Sequence, residues 1–259
     1  MTKGTALVTG ASSGLGTEFA LALAERGHDL ILTARRAERL EELAQRLRSS
    51  HGVAATAIPC DLARTGAAET LIGQVAKRGL AVNLLVNNAG FGFRGPFVEM
   101  DPVQLARMVD LNCRAVMELC RLVLPGMVQM RSGAILNVAS VAAVLPGPWM
   151  ASYYATKAFV LSLSEALHEE VRRHGVSVSA LCPGPVATEF GDLSGLSQSA
   201  LFRRAAEPAE QVVRAGLTAL DANRAVAFPG ARTKLVAAST RLMPRGALRR
   251  ITGAFQQRR

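Results

Sequence analysis

Seven short, nearly uninterrupted apolar runs, separated by stretches with helical spacing, constrain this chain more than any other feature. The runs lie at Thr5 to Thr9, Asp29 to Thr33, Val53 to Ile58, Asn83 to Val86, Ala134 to Ala139, Val176 to Leu181 and Ala225 to Phe228. Between them, Leu15 to Arg26, Arg36 to Arg48, Pro102 to Leu124, Ser152 to His174 and Pro208 to Leu220 repeat apolar residues at helical intervals. Strands without polar alternation are covered on both faces, which calls for a parallel sheet between two helical layers. A doubly wound α/β fold in three layers is therefore expected. Of the 259 residues, 49% are hydrophobic and 19% charged, enough for a large core and incompatible with disorder.

No internal repeat or low-complexity linker divides the chain, so one domain is expected over residues 1–259. Its parts are a nucleotide-binding and catalytic core at 1–190, a substrate lid at 191–207, a last helix and strand at 208–231, and a basic helical tail at 232–259. The lid carries Leu193, Leu196, Leu201 and Phe202 among Gly and Ser, a composition suited to folding over an apolar ligand. An ordinary surface helix pair is the alternative. Cys60, Cys113, Cys120 and Cys182 are too far apart for a metal knuckle or a redox dithiol, which fits a reducing compartment. His28, His51, His168 and His174 lack metal-ligand spacing and are assigned to the surface or helix ends. Met1 to Gly10 lead straight into a strand, with no room for a signal peptide, so a cytoplasmic protein is expected. The uncharged stretch between Arg131 and Lys157 is interrupted by Asn137, Ser140, Pro146, Gly147 and Pro148, and reads as strand, loop and helix start rather than a membrane span.

The net charge of +10 is local. From Arg203 to the end there are twelve Lys and Arg against three Asp and Glu, and from Arg232 onward eight basic residues and no acid. That argues for a basic appendage and against a nucleic-acid binder.

Chemistry concentrates where strands end. Thr9 and Gly10 close the first run, and Ala11, Ser12, Ser13, Gly14, Leu15 and Gly16 open a helix. Glycines there permit a tight turn and close backbone approach to a pyrophosphate, whose charge the helix N-terminus favours. The spacing departs from the standard dinucleotide fingerprint, and a glycine-rich turn is also a purely structural device. The second run ends in Thr33 and Ala34, followed by Arg35 and Arg36. Ala34 offers no carboxylate to ribose hydroxyls, whereas Arg35 suits a 2′-phosphate, so NADP(H) is expected ahead of NAD(H). Arginines opening a helix are otherwise commonly just solvated.

Ser152 is placed to cap a helix on which Tyr153 and Lys157 stand four residues apart, on one face. A nearby ammonium lowers a phenol's pKa and makes it usable for proton transfer. Tyr154 is set aside, because four positions on from it stands Ala158. Ser140 ends the fifth run, at the sheet edge where ligands of open α/β sheets bind, and its hydroxyl can donate to a carbonyl oxygen. No G-x-S-x-G elbow supports a hydrolase triad.

Taken together, Thr9-Gly10-x-x-x-Gly14-x-Gly16, Asn87-Asn88-Ala89-Gly90, Asn112, Ser140, Tyr153-x-x-x-Lys157 and Pro183-Gly184-x-x-x-Thr188 resemble the short-chain dehydrogenase/reductase superfamily, over roughly Thr5 to Phe190. Phrases such as TGASSGLG and CPGPVATEF look like its bacterial broad-specificity reductases, a group similar to steroid and 3-ketoacyl reductases. The resemblance implies a Rossmann-type fold and hydride transfer between NADP(H) and a carbonyl or secondary alcohol. It implies Tyr153 as the general acid-base, Lys157 as its partner and holder of the nicotinamide ribose, Ser140 as the carbonyl-orienting group and Asn112 as support for a water relay. Asp61, with Leu62, matches the adenine contact, and Asn88, Ala89 and Gly90 the segment beside the adenosine ribose. Pro183, Gly184, Val186 and Thr188 match the grip on the carboxamide. Many NADP-preferring members carry a basic residue in the glycine loop where this chain has Ser13, so cofactor choice rests mainly on Arg35, with Arg36 in support.

The expected substrate pocket draws on Phe91, Phe93, Leu145, Trp149, Met150, Leu193 and Leu196, a mostly apolar lining suited to a bulky or lipid-like ketone. The family's paired helices suggest a homodimer or homotetramer through Pro102 to Leu124 and Ser152 to His174. In the tail, Pro244 and Gly246 are expected to separate two short amphipathic helices. These either pack on the body or lie weakly on an anionic inner-membrane surface. A nucleotide-binding regulator or scaffold is the rival class, though such a protein is expected to have lost part of the catalytic set.

Overall fold

The computed structural model describes residues 4–189, 206–240 and 242–257. Its strands are β1 (Thr5–Thr9), β2 (Asp29–Thr33), β3 (Ala55–Ala57), β4 (Leu84–Asn87), β5 (Gly133–Val138), β6 (Val176–Leu181) and β7 (Val226–Ala227). They form one parallel sheet in the order β3-β2-β1-β4-β5-β6-β7. The order reverses between β1 and β4, so the crevice beyond their carboxyl ends is the place where such a sheet receives a ligand.

Neighbouring side chains on a strand serve opposite faces. Ala6, Val8, Leu30, Leu32 and Val86 belong to one apolar core with Phe19 and Leu23 of α1 (Gly14–Glu25) and Leu40 and Leu47 of α2 (Ala37–His51). Leu7, Ile31, Leu85 and Ile135 belong to a second, with Leu71 of α3 (Ala67–Lys77). Burial of one such Leu or Ile side chain stabilises the fold by about 1.5–3 kcal/mol before ordering costs. Apolar strand centres such as Ala6–Val8 and Leu30–Leu32 are the sequence expression of the two-faced burial.

The stretch expected as one helix from Pro102 to Leu124 is divided. Helix α4 (Pro102–Val109) leads into a π-helical turn at Asp110–Arg114, and α5 (Ala115–Gln129) continues past Leu124 through Pro125. A π turn adds a residue and is disfavoured by itself. Here it turns Asn112 inward, to 1% exposure, where its amide bonds the backbone of Phe91.

Helix α6 (Ala151–Val171) starts one residue before Ser152, and its N-cap position is Met150 with no side-chain cap. Ser152 is therefore not the cap. The start is set instead by the turn before it, where Trp149 has φ of 66° and its carbonyl accepts from the Gly95 amide at 2.9 Å. His28 also departs from expectation: it is buried, and its Nδ1 donates to the Gly4 carbonyl at 3.0 Å.

After α7 (Ala209–Asp221) and β7, the chain forms α8 (Ala231–Ser239) and α9 (Arg245–Gln257). Leu248 and Thr252, one turn apart, are buried, and Gly253 lies against Pro148. Arg249 and Arg250 are exposed. The expected lid, with Leu193, Leu196, Leu201 and Phe202, lies outside the described residues apart from its last two positions.

Candidate active site

A cavity of about 500 Å³ opens at the carboxyl ends of β1, β4 and β5. Its nucleotide side is built from backbone. Gly10 has φ of +67°, and a Cβ there would stand 2.9 Å from the Ala89 Cα and from Asn88 Nδ2. A Cβ on Gly16 would lie 2.1 Å from the Gly10 carbonyl oxygen. Only glycine allows the loop to fold this tightly. Thr9 joins the loop to the neighbouring strand end. Its Oγ1 accepts from the amides of Asn88 at 2.9 Å and Ala89 at 3.0 Å and donates to the Val86 carbonyl, while Asn88 Nδ2 donates to the Thr9 carbonyl at 2.9 Å. The first turn of α1 carries no acidic residue, so the positive end of the helix faces the cavity uncompensated.

Arg36, rather than Arg35, is tied to this loop. Its Nε donates to Ser12 Oγ at 3.1 Å, and its Nη2 donates to Ser13 Oγ at 2.7 Å and to the Ser12 carbonyl. Its Nη1 pairs with Glu189 at 3.0 Å, and Arg39 pairs with the other oxygen of Glu189 at 2.8 Å. The two guanidinium groups, Arg39 first, hold the Glu189 carboxyl below its ordinary range. Arg35 also lines the cavity, is exposed, and forms no ion pair or hydrogen bond among the described residues. Ser13 thus contributes a hydroxyl that positions the Arg36 cation over the loop. On the opposite wall, Asp61 accepts from the Ala63 amide and pairs with Arg107 at 2.9 Å, beside the buried Leu62.

Ser140, Tyr153 and Lys157 come together on the floor. Ser140 follows β5 in extended conformation and caps the 3₁₀ turn Val141–Val144, its Oγ accepting from the Ala142 amide at 3.1 Å and lying 3.4 Å from the Pro183 carbonyl. It also hydrogen-bonds the Tyr153 hydroxyl. Lys157 stands one helical turn from Tyr153, its Nζ 5.8 Å from the ring centroid and donating to the Val138 carbonyl at 2.7 Å. A Cβ on Gly92 would stand 2.7 Å from the Tyr153 ring, so the ring is packed closely from that side.

The electrostatics differ from expectation. Burial pushes the Tyr153 phenol above its ordinary value of 10.0, and the Ser140 hydrogen bond recovers only part of that rise. Burial likewise pushes the Lys157 ammonium down from 10.5 to about 8. Loss of water, and not the lysine, thus sets the direction of the phenol's shift, opposite to the lowering expected from the sequence. At neutral pH the phenol carries its proton, the form that donates.

Asn112 donates to the Phe91 carbonyl at 2.9 Å and to Thr156 Oγ1 at 3.1 Å, and accepts from the Phe91 amide at 3.1 Å. Its Oδ1 and Lys157 Nζ flank Gly90, at 3.1 and 3.5 Å from the point where a Cβ would stand. Pro183, Gly184, Val186 and Thr188 line the far wall, with Thr188 against Gly14. The expected site residues therefore meet in one cleft, Gly16 and Asn112 from behind its lining.

The substrate side was less fully anticipated. Phe91 and Met150 line the cavity; Phe93 stacks edge-on against Phe91 at 5.2 Å but does not line it, nor do Leu145 and Trp149. Leu193 and Leu196 are outside the described residues. Tyr154, set aside on spacing alone, lines the cavity together with Gln256 from α9, whose Nε2 donates to the Tyr154 hydroxyl at 3.0 Å. Arg94 in turn donates to the Gln256 carbonyl. Spacing within one helix carries no signal for a partner 102 residues away. Thr9, Arg107 and Glu189 were likewise missed; Thr9 and Glu189 stood inside quoted stretches, and Arg107 outside them.

Among the described residues no group of three His, Cys, Asp or Glu side chains is arranged to share a metal ion, and no helix is long and apolar enough to cross a membrane.

The comparisons with known proteins agree with this architecture. Residues 4–196 match the short chain dehydrogenase family. A very-long-chain 3-oxoacyl-CoA reductase of Anas platyrhynchos is 34% identical over 195 residues, 73% of this chain and 62% of that protein. The chain thus spans less than two thirds of the length of such curated relatives. A short-chain dehydrogenase from Sphingobium yanoikuyae, solved in complex with NADPH, superposes with a TM-score of 0.83 at 34% identity, over 99% of this chain and 96% of that one. The bulky-bulky ketone specific alcohol dehydrogenase from Comamonas testosteroni superposes with a TM-score of 0.79 at 30% identity, over 100% and 96% of the two chains.

Proposed function

Because the chain belongs to the short-chain dehydrogenase family, we propose that it is an NADP(H)-dependent oxidoreductase acting between a carbonyl and a secondary alcohol on an apolar or lipid-like substrate. The observation that carries this reading is that Ser140, Tyr153 and Lys157 lie in the same cleft that the glycine loop opens. The glycine cradle and the arginines at its rim fit a phosphorylated dinucleotide, which supplies or accepts the hydride when bound. Gly10, Ser12, Ser13, Gly14, Leu15 and Gly16 would hold its pyrophosphate, Arg35 and Arg36 its 2′-phosphate. Asp61 and Leu62 would flank the adenine, and Asn88, Ala89 and Gly90 the adenosine ribose. Pro183, Gly184, Val186 and Thr188 would grip the carboxamide, and Tyr153 and Lys157 the nicotinamide ribose.

Ser140 orients the substrate oxygen beside the Tyr153 hydroxyl. Tyr153, protonated at neutral pH, donates its proton to that oxygen in reduction. Lys157 is held behind the phenol by the Val138 carbonyl, and Asn112, across Gly90, supports the water path by which the proton is restored. The apolar lining, with the 3-oxoacyl-CoA and bulky-bulky ketone specificities by which the Anas and Comamonas relatives are named, favours a bulky or long-chain carbonyl compound. A screen of NADPH oxidation across bulky ketones, aldehydes and 3-ketoacyl thioesters tests the reading. Turnover with an apolar carbonyl, faster with NADPH than NADH, is expected. NADPH binding with no turnover on any of them would favour the nucleotide-binding regulator instead.

Exposed Val109, Met117 and Phe159 on α4, α5 and α6 support a homodimer or homotetramer through those helices, and a monomer by light scattering at micromolar concentration would overturn it. In the tail, exposed Leu235, Leu242 and Ile251 stand among Arg232, Lys234, Arg245, Arg249 and Arg250. This supports peripheral contact with an anionic membrane surface, each basic residue adding about 1 kcal/mol at low salt. Truncation after Gly230 would also strip Gln256 from the cavity, so Arg249→Ser with Arg250→Ser is the cleaner test. Loss of binding to anionic vesicles is expected, and no binding by the intact protein ends the proposal.

A further inference from the structure

We infer that Glu189 sets the protein's discrimination between phosphorylated and unphosphorylated dinucleotides, by occupying the edge of Arg36 that would receive the cofactor's 2′-phosphate. The inference rests on the NADP(H) reading and adds a residue with the opposite sign to it. The Arg36 guanidinium is fixed over the glycine loop by Ser12 Oγ, Ser13 Oγ and the Ser12 carbonyl. Those bonds use its Nε and Nη2, so its position does not depend on Glu189. The Nη1 edge is the part left for an anion, and the Glu189 carboxylate takes it at 3.0 Å while reaching Arg39 at 2.8 Å with its second oxygen. A carboxylate bridging two guanidinium groups occupies the same donor geometry that a phosphate would use.

Its place in the chain makes this a contact within the nucleotide cleft and not a surface pair elsewhere. Glu189 follows Thr188, which stands against Gly14, and Glu189 lines the same cavity as Gly10, Arg35 and Asp61. A 2′-phosphate that takes the Arg36 Nη1 edge beside Arg35 therefore displaces the carboxylate, whereas a bare ribose hydroxyl competes with nothing. The pairs are about half exposed, with side-chain exposures of 43–49%, so displacement is a modest penalty and not a block. The carboxylate thus keeps the Arg36 Nη1 edge neutralised until the ligand arrives.

The test is equilibrium binding by calorimetry, with NADP⁺ and 2′,5′-ADP compared against NAD⁺ and 5′-AMP, on the full chain and on Glu189→Gln and Glu189→Ala. Expected is a gain of about threefold to tenfold in affinity for the two 2′-phosphorylated ligands, as two half-exposed ion pairs would give. Affinity for NAD⁺ and 5′-AMP should stay within about twofold. No change, an equal gain for all four ligands, or weaker binding of NADP⁺ would each overturn the inference. An unmodified protein that binds 2′,5′-ADP no tighter than 5′-AMP would instead remove the NADP(H) reading itself, whatever the variants do.

Discussion

On one side of the cleft Thr9 binds two backbone amides at the end of β4, and on the other Gln256 meets Tyr154 side chain to side chain, from a helix anchored by Leu248 and Thr252. The nucleotide side is thus fixed by sheet register and glycine geometry, with little freedom for any residue to differ. The substrate side is assembled from tips: the φ of 66° at Trp149, the Phe91–Phe93 edge contact, the Arg94–Gln256 bond. A dinucleotide is the same for every enzyme that uses it, and a rigid backbone cradle suits it. A substrate surface built from side chains can be altered without disturbing the sheet.

The contrast predicts where a single methyl group does most harm. Gly16→Ala should be the most damaging, because the added carbon would strike the Gly10 carbonyl, a backbone atom that cannot turn aside. NADP(H) affinity should fall by more than about 100-fold, with a loss of about 3 kcal/mol in denaturant stability. Wild-type affinity in that variant would show that the loop is more pliable than its geometry implies. On the substrate side, Gly92→Ala meets the Tyr153 ring at 2.7 Å, and the ring can tilt. Turnover should drop about tenfold to 100-fold through misplaced hydroxyl geometry, with NADP(H) affinity within about twofold. Equal losses in binding and turnover would erase the distinction between the two sides.

The same contrast explains what could be read from the chain before its structure. β1, β2 and β6 coincide with their apolar runs, because burial on both faces keeps most of their positions apolar, the polar ones being Thr5, Thr9, Asp29, Thr33, Ser177 and Ser179. The cleft residues were legible because glycine at 10 and 16 is a steric requirement. The π turn at Asp110–Arg114 was not, since one inserted residue barely alters helical spacing, and its reason lies in Phe91 on another element. Tyr154 and Glu189 were hidden for a related reason: each matters through a partner, Gln256 or Arg36, that local patterning does not mention. The upward push on the phenol was missed because burial depends on everything packed around Tyr153, while the sequence displays only its lysine neighbour.

A smaller effect sharpens the substrate side. Gln256→Leu removes the hydrogen bond to Tyr154 and leaves the helix face apolar. KM for bulky ketones should shift about twofold to fivefold, with kcat and NADP(H) affinity near wild type. A change in cofactor affinity would mean that the tail reaches across to the nucleotide side after all.

Tyr153→Phe separates the two sides most directly, because it deletes one hydroxyl and keeps the ring that Gly92 and Ser140 pack around. Turnover with NADPH should fall at least about 100-fold, the scale of a lost general acid, while NADPH still binds within about twofold of the unmodified protein. Turnover retained in this variant would contradict the assignment of Tyr153 as the proton donor and with it the account of the cleft.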